Sequence, residues 1–362
     1  MADVGDNNFM RYVYRGEEGE HIPDGATHIT MAEDCTFILA SAFAGHPNIF
    51  EVICHEGVEK IEEYAFYMCP NLRRVIMPGV KIVEKMTFYG CEALEDVECG
   101  KLEIIREFAF GVRSFGGSLR RINLPTVRIV EGFAFSECGA LTNVMFGNKL
   151  ASLGERTFAH CFSLRRITLP LKDGLFAHDD TFMECRNLKH VDLVEAAELH
   201  ETIAALHLED WRNDMSEEIE SINRILPNTW AGQYGDDGEG RFFWDAGGKA
   251  EEIHSWLRSV LQKIVHYKAE HRRILSEAAA AIQHHFALPH DILTNSVLPF
   301  LTLPSHTLEG ENHEEAVNGV NERGVEGEQD GHEEEQGDDH DFSGDNEGEV
   351  GNEEYMSMGV EE

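Results

Sequence analysis

Ile61-Glu-Glu-Tyr-Ala-Phe66-Tyr-Met-Cys69-Pro-Asn-Leu72-Arg-Arg-Val75-Ile-Met-Pro78 returns almost residue for residue as Leu153-Gly-Glu-Arg-Thr-Phe158-Ala-His-Cys161-Phe-Ser-Leu164-Arg-Arg-Ile167-Thr-Leu-Pro170. Phe43, Phe66, Phe88, Phe110, Phe135, Phe158 and Phe182 mark seven copies of this unit, spaced 22 to 25 residues apart. A regular period of this length is the signature of a solenoid, whose units cannot bury their own apolar face and must stack on one another. Within each unit, Leu-x-x-Val/Ile-x-Leu/Met is a short strand with its apolar residues inward: Leu72/Val75, Leu94/Val97, Leu119/Ile122, Leu141/Val144, Leu164/Ile167 and Leu188/Val191, with Ile49/Val52 as a degenerate first copy. Pro78, Pro125 and Pro170 follow the strands, where a missing N–H costs a ladder least. A second extended segment, such as Val80-Lys-Ile-Val or Val127-Arg-Ile-Val, precedes each Phe. Each coil therefore has two extended sides, with Ala-Phe-x-x-Cys as the turn or short helix between them. Phe110 and Leu119 stand nine apart instead of six, so Gly111 to Gly117 should bulge.

Five of the eight cysteines, Cys69, Cys91, Cys138, Cys161 and Cys185, sit three residues after a repeat Phe. They read as unpaired core thiols, since a buried Cys packs as a small hydrophobe. The pattern resembles the BspA-like (Treponema pallidum-type) branch of the leucine-rich repeats, with its Leu-x-x-Ile-x-Leu-Pro and Ile-Gly-x-x-Ala-Phe-x-x-Cys phrases, over about residues 27 to 194. It is also similar to a large set of diatom repeat proteins that share Pro47-Asn-Ile, Glu51-Val-Ile-Cys-His, Arg74-Val-Ile-Met-Pro-Gly and Ile264-Val-His-Tyr-Lys-Ala-Glu-His-Arg-Arg. The resemblance implies an α/β solenoid with short parallel strands that serves as a binding scaffold, with no activity attached.

The ends of the chain differ in character. Residues 1–26 read as an N-terminal β cap, 27–194 as the solenoid of about seven repeats, and 195–308 as an α-helical segment. One helix carries Ile203, Leu206, Trp211, Met215, Ile219, Ile222 and Leu226 at helical spacing, ending near Pro227. A Gly/Asp-rich linker at 228–249 leads to a second helix over 251–286 and a short one opened by Pro289 and Asp291. The helices read as a cap on the last rung, or as a partner-binding or dimerising module through the 251–286 helix. Residues 309–362 hold 21 acidic residues against Arg323 alone and read as a disordered acidic tail.

The formal charge of -37 disfavours nucleic-acid binding, which needs clustered Lys and Arg. No stretch approaches the roughly 18 apolar residues that cross a bilayer, and the N-terminus has neither a basic segment nor an apolar run, so the expectation is an intracellular protein, cytoplasmic or nuclear, without a membrane span or signal peptide. Walker, Gly-x-Gly-x-x-Gly, Gly-x-Ser-x-Gly and His-Glu-x-x-His motifs are missing from the sequence, Asp236 to Gly240 lacks the later ligands of a calcium loop, and no cofactor or metal is expected.

What remains is a surface. The pleat turns the residues just before and just after each inward Val or Ile to the outside. The first set is Glu51, Arg74, Asp96, Arg121, Asn143, Arg166 and His190; the second is Ile53, Ile76, Glu98, Asn123, Met145, Thr168 and Asp192. Neighbouring rungs of the first set carry opposite or neutral partners, and the Glu51-Arg74-Asp96-Arg121 ladder should offset itself electrostatically. With Arg73, Arg120, Arg165 and Lys189 beside it, this strand side is locally basic. The leading expectation is a noncatalytic protein-interaction scaffold binding an unidentified protein partner across this face, with intramolecular docking of the acidic tail as a competitor. The rivals are an enzyme or small-ligand sensor built from His266, Glu270, His271 and Arg272 with the Trp-rich linker, and capture of histones or other basic proteins by the tail.

Overall fold

The structure is a computed structural model. It describes residues 9–286 apart from Ser114, Ala177, Asp179, Glu195, His207, 230–234, 237–241 and 244–247. All of these lie in one compact unit, within 1–306. The short helix expected after Pro289, the calcium-loop residues 237–240 and the tail fall outside the described residues.

The solenoid comprises β1 (Arg11–Tyr14), β2 (His28–Met31), β3 (Phe37–Ile38), β4 (Glu51–Ile53), β5 (Lys60–Ile61), β6 (Arg74–Ile76), β7 (Ile82–Val83), β8 (Asp96–Glu98), β9 (Ile104–Ile105), β10 (Arg121–Leu124), β11 (Ile129–Val130), β12 (Asn143–Phe146), β13 (Ser152–Leu153), β14 (Arg166–Leu169) and β15 (His190–Leu193). Every pairing among them is parallel, and they form three sheets, β1-β2-β4-β6-β8, β10-β12-β14-β15 and β3-β5-β7-β9-β11-β13. The first two make one side of each coil and the third makes the other. Turns, not short helices, carry the Ala-Phe-x-x-Cys segments.

The Phe positions form a column of stacked rings. Phe43, Phe66, Phe88, Phe110, Phe135, Phe158 and Phe182 are all buried, with successive centroids 4.8 to 5.6 Å apart and planes within 16° of parallel. The ends of the column are covered by other rings, Tyr14 at 4.9 Å from Phe43 and Phe176 edge-on at 5.6 Å from Phe182. Burial pushes the Tyr14 hydroxyl up to about 12, and its oxygen accepts the Leu39 N–H at 3.2 Å. All eight cysteines are free and buried. The five in the repeat column share one bond: the Cys69, Cys91, Cys138, Cys161 and Cys185 thiols donate to the carbonyls of Phe43, Phe66, Phe110, Phe135 and Phe158 on the preceding rung, at 3.0 to 3.2 Å. Cys therefore supplies both apolar bulk and a donor that Ala or Val lacks.

The helical segment differs from expectation at one point. Ile203 and Met215 lie on separate helices, α1 (Ala196–Ala204) and α2 (Glu209–Ile225), because the chain turns at Leu206 and the Arg212 guanidinium satisfies the Leu206 carbonyl. A two-residue antiparallel pair follows, β16 (Gly235–Asp236) with β17 (Phe242–Phe243), and then α3 (Gly248–Phe286). Together α1 to α3 close the last rung. Asn223 Oδ1 accepts the Val191 N–H at 3.0 Å, covering the open edge of β15. Buried Lys249 donates to the Leu188 and Leu226 carbonyls at 2.7 and 3.0 Å, and its desolvation holds its pKa below the usual lysine value. Ile253, Trp256, Leu257, Val260 and Ile264 are buried, so the apolar stripe of α3 that dimerisation would use is already covered over this stretch.

Candidate interaction face

All fourteen residues expected on the strand side face outward, half-buried or exposed, while Val52, Val75, Val97, Ile122, Val144, Ile167 and Val191 between them are buried. Parallel register aligns them: Glu51 lies beside Arg74 and Arg74 beside Asp96; separately, Arg121 lies beside Asn143, Asn143 beside Arg166 and Arg166 beside His190. The second set aligns likewise, Ile53 with Ile76 and Glu98, then Asn123 with Met145, Thr168 and Asp192. At the N-terminal end the column is longer than expected, because β1 and β2 are rungs of the same sheet and bring Arg11 and His28 into line with Glu51. His28 stacks on Phe9 with centroids 3.7 Å apart, and burial lowers its pKa.

The column does not run through unbroken. The strands β8 and β10 belong to different sheets, so Asp96 and Arg121 are not ladder partners. The extra residues after Phe110 enter on the turn leading into the strand side and dislocate that side alone; on the other side β9 and β11 pair without interruption, Ile104 beside Ile129.

This break separates two halves of unlike electrostatics. In the first, Arg74 lies within 4 Å of three carboxylates, Glu51 at 3.5 Å, Asp96 at 3.1 Å and Glu98 at 2.5 Å, and Arg73 pairs with Glu95 at 3.5 Å. The hydrogen bond from Arg74 to Glu98 and the nearby carboxylates raise the pKa of the guanidinium further. Of the Glu51-Arg74-Asp96-Arg121 ladder expected to offset itself, the last member, Arg121, lies across the break and has no such partner. Arg166 pairs diagonally with Asp192 at 2.6 Å, not along its column, and among the described residues Arg120, Arg121, Arg165 and Lys189 form no ion pair. Arg120, Arg165 and Lys189 form their own backbone-bonded column with Thr142, immediately beside the first. Rungs about 4.8 Å apart thus hold paired cations at Arg120/Arg121 and again at Arg165/Arg166, two rungs on. Between them lies Asn143, whose Oδ1 is buried and has no hydrogen-bond partner among the described residues.

Beside the last rung, a cleft of about 150 Å³ opens between β15 and the helices, lined by Asp192, Leu199, His200, Glu220, Asn223 and Trp256 among others. The residues expected to converge on α3 part company: His271 is buried, whereas Glu270 turns to Arg273 at 2.8 Å and His266 is exposed. The two tryptophans of the linker lie outside the described residues. Among the described residues no group of three or more His, Cys, Asp or Glu is placed to hold a metal ion, and no helix is long and apolar enough to cross a membrane.

Comparison with known proteins bears on the fold. No curated protein matches the chain. Solved structures that match include a leucine-rich repeat protein from Bacteroides ovatus at 18% identity, covering 48% of this chain and 62% of that one with a TM-score of 0.28. A T. pallidum leucine-rich repeat protein matches at 22% identity over 51% of this chain and 70% of that one, with a TM-score of 0.30. The chain thus spans less than two thirds of the Bacteroides protein. The family model for the BspA type leucine rich repeat region matches residues 24–124 and 114–204 in six copies. With the parallel rungs, the Phe column and the Cys column in place, this chain belongs to the BspA-type leucine-rich repeat family.

Proposed function

We propose that the protein is a noncatalytic interaction scaffold that holds an acidic segment of a partner protein on the second half of its strand face. The observation that carries this reading is the contrast between Arg74, enclosed by three carboxylates, and the group Arg120, Arg121, Arg165 and Lys189, which forms no ion pair among the described residues. Unpaired cations on a rigid ladder cost little further reorganisation when an acidic chain arrives, and they raise the association rate by steering. Exposed Met145 in the same patch, with half-buried Thr168 and exposed Asn123, supplies the apolar and hydrogen-bonding surface typical of an interface. The first half, from Glu51 and Ile53 to Glu98, carries its own counter-charges and contributes shape and apolar contact through Ile53 and Ile76.

The test uses the full chain and a fluorescein-labelled decapeptide of Glu and Asp, titrated at 0.05 and 0.15 M salt. Arg120→Glu with Arg121→Glu, Arg165→Glu and Arg166→Glu should weaken binding at least about tenfold and flatten its salt dependence. Arg74→Gln should leave it within about twofold. Equal losses from both variants, or no measurable binding by the unaltered chain, would sink the assignment.

A further inference from the structure

A second surface lies on the turns, at the positions two before and one after each repeat Phe. Tyr64, Tyr67, Tyr89, Phe108 and Phe133 are all half-buried there and form one run of touching rings. Tyr64 meets Tyr67 edge-on at 5.6 Å, Tyr67 stacks on Tyr89 at 5.8 Å, Tyr89 meets Phe108 edge-on at 6.1 Å, and Phe108 stacks on Phe133 at 4.7 Å. The run ends on a cation, the Arg156 guanidinium 5.7 Å from the Phe133 centroid. It crosses four rungs, and among the described residues none of α1 to α3 contributes a ring to it.

The backbone does not ask for aromatic residues here. Tyr64, Phe108 and Phe133 have φ of +59°, +54° and +57°, the left-handed region that suits Gly or Asn and disfavours bulky side chains. Equivalent positions hold Ser41 and Arg156, so the turn forms without a ring. Space is reserved for the run as well, since a Cβ on Gly111 would lie 3.2 Å from the Tyr89 ring. Tyr64, Met86, Phe108 and Phe133 thus keep bulky side chains in an unfavourable conformation on four successive rungs, all half open to solvent, which points to a use outside the fold.

Charge around the rings favours a cationic occupant. Lys85, Arg106 and Arg156 are each held by a carboxylate, Glu107 at 2.7 Å, Glu131, and Asp180 at 3.0 Å. Glu63 and Glu155, both exposed beside the run, and Glu137 near Tyr89 form no ion pair among the described residues. Arg113 is the one cation near Tyr89 without such a pair among the described residues. Ring faces carry negative potential, and a guanidinium over a ring with a carboxylate at its edge satisfies both. Arg156 on Phe133 with Asp180 is that arrangement made within the chain.

We propose that this aromatic run is a docking site for an extended arginine-bearing segment of a partner protein, each guanidinium lying over a Tyr or Phe face beside one of the glutamates that form no ion pair among the described residues. The site is separate from the strand face and takes a partner of opposite charge.

The probe is a fluorescein-labelled peptide of five Arg-Gly-Gly repeats, titrated into the full chain at 0.15 M salt. Since the acidic tail also attracts this peptide, the deciding variants keep the net charge: Tyr67→Leu with Tyr89→Leu and Phe133→Leu should weaken binding about tenfold, and the matching Lys-Gly-Gly peptide should bind the unaltered chain more weakly than the Arg peptide. Tyr64→Asn, which relaxes the turn and cannot unfold it by strain, should by itself lower affinity about twofold. Aromatic ring resonances of Tyr67 and Tyr89 should shift on saturation. Binding by the triple variant equal to that of the unaltered chain, or saturation without movement of those resonances, overturns the proposal. If the triple variant loses its fold by circular dichroism, Glu63→Gln with Glu155→Gln decides, and undiminished binding by that pair counts against the site.

Discussion

Replacing Phe135 tests whether the ring column is a cooperative stack or seven independent plugs. Phe135 is fully buried, with Phe110 at 5.2 Å and Phe158 at 5.4 Å on either side and planes within 6° of both. Phe135→Ala removes a large buried ring and leaves a cavity that rigid rungs cannot close, at about 3–5 kcal/mol. With an m value of about 2.5 kcal/mol per molar urea, the midpoint should fall by roughly 1.5 M. The sharper measurement is a double-mutant cycle with the milder Phe135→Leu and Phe158→Leu, each of which keeps most of the apolar volume and removes the ring face. Adjacent rings are worth about 0.5–1.5 kcal/mol beyond area burial, so the pair should be non-additive by about that much, because the first substitution already removes the contact the second would lose. Phe66→Leu with Phe158→Leu, which share no ring contact, should add within about 0.5 kcal/mol. If the adjacent pair also adds to within that figure, the stacking geometry carries no energy of its own and the column is held by burial alone.

Two further outcomes follow from buried and paired groups. Cys54, Cys99 and Cys138 are pushed up to about 12 by burial, and all eight thiols are buried, so a thiol-reactive dye at pH 8 should titrate none of them quickly in the folded protein and all eight in denaturant; one fast thiol would place a cysteine at the surface. Asp214 accepts from Tyr267 at 2.7 Å and from Lys263 at 2.9 Å, contacts that hold its pKa below the ordinary carboxylate value. Its contribution to joining α2 and α3 is therefore fully present above about pH 3.9 and is lost as pH falls through the lower, folded value. Urea midpoints measured from pH 3 to 6 should show Asp214→Asn destabilised at pH 6, by no more than about 1 kcal/mol for so exposed a pair, with the gap to the parent closing toward pH 3.

The period revealed the rungs because burial in a solenoid is enforced at every repeat. A position that faces inward once faces inward each time, and Phe66, Phe158 and the cysteines after them announce it in one dimension. Outward direction follows from the pleat for the same reason, which is why the places of Glu51, Arg74, Arg121 and Arg166 are legible in the sequence. Ion pairing could not, because it depends on whether neighbouring rungs are ladder partners. The nine-residue step from Phe110 to Leu119 signalled a bulge, but not which side of the coil would absorb it. Absorbed on the strand side, it separates Asp96 from Arg121 and leaves the second half of the face without the counter-charge that simple alternation promises.

The turn between α1 and α2 is not legible in the sequence for a related reason. Leu206 keeps the apolar spacing, no Gly or Pro marks the break, and Leu208 caps α2 without a side-chain hydrogen bond, so the break depends on tertiary contacts such as that from Arg212 to the Leu206 carbonyl. The aromatic run was hidden differently: Tyr64, Tyr67, Tyr89, Phe108 and Phe133 occupy two non-equivalent positions of the repeat and join only where rungs stack. Reading the repeat by columns exposes them, since a bulky residue recurring where the turn needs φ near +55° conflicts with its own backbone. Local preference and global fold usually agree in a well-specified chain, and the positions where they disagree are those that selection for something besides folding would keep. The inward columns show no such conflict. The outward turn column shows it at Tyr64, Met86, Phe108, Phe133 and Arg156, and the case for a second binding surface is strongest at the three of these that are rings.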